Sequence, residues 1–157
     1  MALKTKPRWD KYDGYVGNFR GVLAADIDLT EVTGEANQVL SVGIDSNGAI
    51  VVGGGQTGPV GLMIVAVGAD IHGNLLDGGV NNQAGDPQDV GKHGEITNFK
   101  PYDASDPANS PDAEAGTVYY AHADGSVLAT SAAGAVYCGH TAEADRLIVD
   151  VDGPSGP

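Results

Sequence analysis

Cys138 and His140 stand two residues apart in the run AVYCGHTAE. On a regular strand, residues i and i+2 share a face. A thiol and an imidazole at that spacing can act as nucleophile and base. Nothing in the sequence marks an orienting acid or an oxyanion hole for them. A lone cysteine on an apolar strand is more economically a small buried hydrophobe. His72, His93 and His122 are scattered, each beside an expected turn, and form no ligand cluster. Gly53, Gly55 and Gly58 fit G-x-G-x-x-G after an apolar run. A dinucleotide site would need a helix to open at the last glycine. Here Pro59 and the β-branched run VGLMIVAV follow instead. The loop also lacks the Gly-Lys-Ser/Thr of a P-loop.

Carboxylates gather in two places. Asp26, Asp28 and Glu31 are close in sequence, and Asp45, Ser46 and Asn47 offer further oxygens. Neither group has the twelve-residue spacing of a calcium loop, so exposed strand carboxylates and turn residues are expected. G-x-S-x-G and H-E-x-x-H are absent. The dUTP pyrophosphatases are also small and glycine-rich, but their phosphate-binding serine motif, tyrosine hairpin and glycine-rich C-terminal motif are not found. These observations lead us to expect no catalytic centre, no cofactor and no metal.

The elements that must position such residues are strands. Valine and isoleucine total 24 residues, leucine and methionine 11. Branching at Cβ favours the pleated strand, and 24 glycines in 157 residues make long helices improbable. The length predicts one domain. One cysteine excludes a disulfide framework. The longest largely apolar run, Pro59 to Ala69, is too short to span a bilayer as a helix. The N-terminus lacks the apolar core of a secretory signal.

Turn chemistry divides the chain. Residues 21–32 lead into the first core strand, and Glu35 to Leu40 reads as a helical turn or a loop. Leu40 to Ile44 and residues 49–52 flank Asp45-Ser46-Asn47-Gly48, a hairpin signal. Residues 60–67 have few polar interruptions, as in a strand buried on both faces. Residues 68–87 are a long polar connection. Residues 88–99 return to a strand pattern, and residues 103–116 read as an acidic surface loop. Strands are then expected at 117–121, 126–130, 135–139 and 146–151, with turns at Asp124-Gly125 and Ala133-Gly134. A short echo links Asn47–Val52 and Gly58–Val60 to Asp124–Ala129 and Gly134–Val136: hairpin turn, strand, small-residue turn, strand.

Charge is polarised. The formal net charge is −13. Residues 1–20 nevertheless hold Lys4, Lys6, Arg8, Lys11 and Arg20 against only Asp10 and Asp13. The same segment carries Trp9, Tyr12, Tyr15 and Phe19, four of the nine aromatics. Aromatics and arginine are the usual buried anchors of protein interfaces. Residues 1–20 therefore read as a basic, aromatic docking arm, or as an ordinary terminus whose aromatics cover one edge of the core. Residues 21–151 read as one acidic β domain, and residues 152–157 as a flexible tail. The acidic body argues against direct nucleic-acid binding.

Several runs carry a family resemblance. Ala115-Gly116-Thr117-Val118-Tyr119-Tyr120 is followed by His122-Ala123-Asp124-Gly125-Ser126-Val127-Leu128-Ala129-Thr130. Then come Ala133–His140 and Arg146–Val151. Upstream stand Gly61-Leu62-Met63-Ile64, Ala84–Val90 and Gly94-Glu95-Ile96. Together they resemble the capsid decoration proteins of tailed bacteriophages, over about residues 40–151. That resemblance implies a small β-barrel or β-tulip with an extended N-terminal arm; the composition allows at most one or two short helices, and the long loops at 68–87 and 100–115 depart from the family's compact pattern. It implies a homotrimer on the outer surface of the virion capsid, binding the major capsid protein and cementing its neighbouring subunits. It implies no cofactor and no membrane. The docking residues would be Lys4, Lys6, Arg8, Trp9, Lys11, Tyr12, Tyr15, Phe19 and Arg20. The competing expectation is a glycan- or host-binding β module of a phage fibre, using the loops at 68–87 and 103–115.

Overall fold

The computed structural model describes residues 18–27, 37–64 and 83–151. They are mainly β. Eleven strands run in the order β1 (Phe19–Val22), β2 (Asn37–Ile44), β3 (Ile50–Val52), β4 (Gly61–Ile64), β5 (Pro87–Val90), β6 (His93–Thr97), β7 (Phe99–Lys100), β8 (Val118–Ala121), β9 (Val127–Leu128), β10 (Val136–Glu143) and β11 (Arg146–Asp150). Among the described residues the helical content is one 3-10 turn, Pro107–Asn109. Asn37 opens β2, so residues 37–40 are strand and not the helical turn or loop the sequence leaves open.

The strands form three layers. β1 and β5 make an antiparallel ribbon. β2, β3 and β4 make a central sheet ordered β3-β2-β4, with β7 parallel to the start of β2. The third sheet is antiparallel, ordered β6-β11-β10-β8-β9. Side chains on β2 and β4 alternate between two cores, as a period of two requires. Val39 and Leu62 join Ile96, Phe99, Tyr119, Val127, Leu147 and Val149 beneath the five-stranded sheet. Leu40, Val42 and Met63 join Leu23, Ile50 and Val90 beneath the ribbon. This sandwiching explains the continuous apolar run at the start of β4. Phe99 and Tyr119 meet edge to face at 5.1 Å.

The sheets do not close into a barrel, which corrects the architecture implied by the resemblance. Closure would need the sheet edges to pair. Instead the chain from Pro87 to Thr97 leaves one layer for another. β5 pairs with β1, β6 pairs with β11, and Gly91 between them exchanges both backbone hydrogen bonds with Leu62 (2.9 and 2.8 Å). Residues 88–99, one strand by pattern, are thus parts of three strands.

The sequence echo corresponds to a topological one. In both copies a hairpin (β2–β3, β8–β9) is followed by a third strand (β4, β10) on the far side of the first. The two units meet at Gly53 and Gly125. Ser41 N donates to Gly125 O at 2.9 Å, and Gly54 N donates to Ala123 O at 3.1 Å. A Cβ on Gly53 would lie 2.2 Å from the Ala123 carbonyl oxygen. Glycine is required there by close approach of two backbones.

Candidate docking site

The chemistry-bearing residues of the sequence are not assembled for catalysis in the described structure. Cys138 is fully buried, and that burial pushes its thiol up to about 12. His140 is exposed, with its Nδ1 3.3 Å from the Tyr137 hydroxyl. The expected shared face is lost because the register of β10 against β8 shifts between Tyr137 and Gly139. Such a bulge breaks the alternation of faces. His93 pairs with Asp150 on β11 at 3.1 Å, and His122 Nε2 lies 2.8 Å from the Thr130 carbonyl. His72 lies outside the described residues. Among the described residues no group of three His, Cys, Asp or Glu is placed to hold a metal ion.

The glycine-rich loop has a structural task. Its amides are spent on carbonyls: Gly53 N on Ser41 O, Gly54 N on Ala123 O and Gln56 N on Ile44 O. They are not gathered toward an anion. Asp45 Oδ1 accepts from Asn47 N and Ala49 N within its turn, and Asp26 Oδ1 accepts from Ala84 N. Asp28 and Glu31 lie outside the described residues. The 103–115 loop is also internally bonded. Asp103 Oδ1 accepts from Ser105, Asp106 accepts from Asn109 Nδ2, and Ser110 Oγ receives Gln38 Nε2 and Asp103 N.

What the structure does build is the root of the N-terminal arm. Lys4, Lys6, Arg8, Trp9, Lys11, Tyr12 and Tyr15 lie outside the described residues. Phe19 and Arg20 belong to β1, so the folded body begins before residue 21. Phe19 is half-buried against the ribbon core. Arg20 forks onto Asp89 of β5, Nε to Oδ1 at 2.7 Å and Nη2 to Oδ2 at 2.9 Å. Asn18 Oδ1 accepts the amides of Lys92 (2.7 Å) and His93 (3.1 Å) at the bend between β5 and β6. Three successive residues thus fix the point at which the chain enters the body. The basic, aromatic composition marked this segment. The Asn18 clamp carries no signal in the sequence, because its partners lie more than seventy residues away.

Beside this root opens a groove of about 580 Å³. Its walls include Asn18, Arg20, Leu62, Ile64, Gln88 and Glu95. Leu62 and Ile96 make it apolar below, and Asp89, His93 and Glu95 make it polar at the rim.

No family model and no curated protein matches the sequence. Among solved structures, the chain is similar to one from Mycobacterium phage Patience. The two are 46% identical, the match covers 97% of this chain and 99% of that one, and the TM-score is 0.72.

Proposed function

The chain belongs to a family of phage proteins that includes the one from Mycobacterium phage Patience, and on that footing we propose that it is a capsid decoration protein. In this reading it binds the outer surface of the phage shell as a homotrimer and cements neighbouring major capsid protein subunits. The observation that carries the reading is the arm root. A segment rich in cations and aromatics leaves an acidic body at a point held by Asn18, Phe19 and Arg20. A fixed root lowers the entropy cost of presenting the arm to a partner. Trp9, Tyr12 and Tyr15 are the anchors, each worth on the order of 2 kcal/mol when fully buried. Three arms on one trimer would act together through effective concentration. The acidic body faces solvent and keeps crowded copies apart.

The test adds purified protein to undecorated shells and measures co-sedimentation. The full chain should saturate the shells. A chain lacking residues 1–17 keeps β1 and should lose at least about tenfold in occupancy at equal concentration. Equal occupancy of both would end the arm's role. No binding by the full chain would end the reading itself.

A further inference from the structure

We propose that the groove beside Asn18 receives an extended segment of the shell protein, added as a strand along β6; this rests on the shell-binding reading above.

Among the described residues β6 is an edge strand, paired with β11 on one side. On its other side the amide of His93 donates to Asn18 Oδ1. In an antiparallel ladder the amides of alternate residues point to the same edge, so the Glu95 amide faces the groove as well. A strand laid there would pair with β6 and extend the five-stranded sheet by one.

The groove also defines what kind of segment it takes. The charged rim is already paired: Arg20 with Asp89, His93 with Asp150, and Glu95 with Arg146 at 3.7 Å. The floor is apolar, and Ile64 stands 42% exposed at its edge. Recognition therefore uses backbone hydrogen bonds and alternating apolar side chains, with little contribution from charge. The occupant is the shell protein because Asn18 and Arg20 form both the groove wall and the root of the arm. A surface that holds the arm lies against the groove.

Hydrogen exchange on the full-length protein, free and bound to undecorated shells, tests this without mutation. The Glu95 amide should exchange at least about tenfold more slowly on shells. In parallel, Ile64→Asp should weaken shell binding roughly tenfold, with the arm intact. Ile64→Asp should leave the urea midpoint unchanged, because Ile64 is not part of the core. Unchanged Glu95 exchange, or undiminished binding by Ile64→Asp, overturns the groove proposal while leaving the shell reading standing. Protection of Glu95 in the free protein that disappears on dilution assigns the groove to a second copy and overturns it too. Failure of the wild-type chain to bind shells overturns both.

Discussion

Arg20 and Asp89 lie opposite each other on β1 and β5, and their side chains meet through two parallel charge-assisted hydrogen bonds of 2.7 and 2.9 Å. The pair is solvent-exposed, at 69% and 72%, so screening by water and salt is strong. The hydrogen bond from Arg20, more than its charge, holds the Asp89 carboxyl below its ordinary value of 3.8. A depressed folded-state pKa gives stabilisation that is complete above the unfolded value. It is lost as pH falls through the folded one. A double-mutant cycle with Arg20→Ala and Asp89→Ala should therefore show favourable coupling at pH 7. The coupling should fade below about pH 4 and in molar salt. Urea titrations at each condition measure it.

Gly53 is a position where substitution should be severe. Its φ is +89°, and an added Cβ would meet the Ala123 carbonyl oxygen at 2.2 Å. Gly53→Ala should cost about 3 kcal/mol or more, from the clash and the backbone conformation together. Gly85 also has a positive φ, of 87°, but open space around it. Gly85→Ala should cost only about 1–2 kcal/mol. Equal urea midpoints for the two variants would contradict the seam between the two three-stranded units.

Cys138 should be silent to thiol reagents in the native state at neutral pH and react fully once the chain unfolds. Its burial raises the thiol from 9.0 to about 12. For an acid with a raised folded-state pKa, stability is complete below the unfolded value and lost as pH rises through the folded one. Stability should thus decline between about pH 9 and pH 12, and Cys138→Ala should flatten that decline. Labelling rates and alkaline urea titrations report the two effects.

Thr141 ties the 103–116 loop to β10. Its hydroxyl donates to the Glu114 carbonyl and accepts from Thr117 N at 3.0 Å, and its side chain is buried. Thr141→Val keeps the volume but strands both partners. The expected loss is about 1–3 kcal/mol, with faster hydrogen exchange at Thr117. Unchanged exchange there would show that the loop does not need this anchor.

Much of the fold is legible in local chemistry. Asn47-Gly48 and Asp124-Gly125 mark their hairpins because a positive φ leaves few choices of residue, and the echo between them reports a shared three-strand topology. The apolar start of β4 reports a strand with cores on both sides. Partner choice is not written locally. Periodicity in residues 88–99 is the same whether one sheet or several receive them, and the transfer depends on Gly91 meeting Leu62. The bulge at Tyr137–Gly139 is likewise set by β8, so the spacing of Cys138 and His140 misstates their faces. Of the candidate site, charge and aromatic content marked the arm. Phe19 and Arg20 read as arm residues from composition, and their partners Val90 and Asp89 became visible only through strand pairing.

The edge of β6 has a consequence for life before assembly. An open strand edge templates promiscuous pairing between chains, and aggregation follows. Here the exposed row carries an imidazole and a carboxylate at His93 and Glu95, and Gly94 between them takes a φ of +132°. Charge and a locally irregular backbone make a flat, indiscriminate match unfavourable. Such an edge resists pairing with further copies of its own chain.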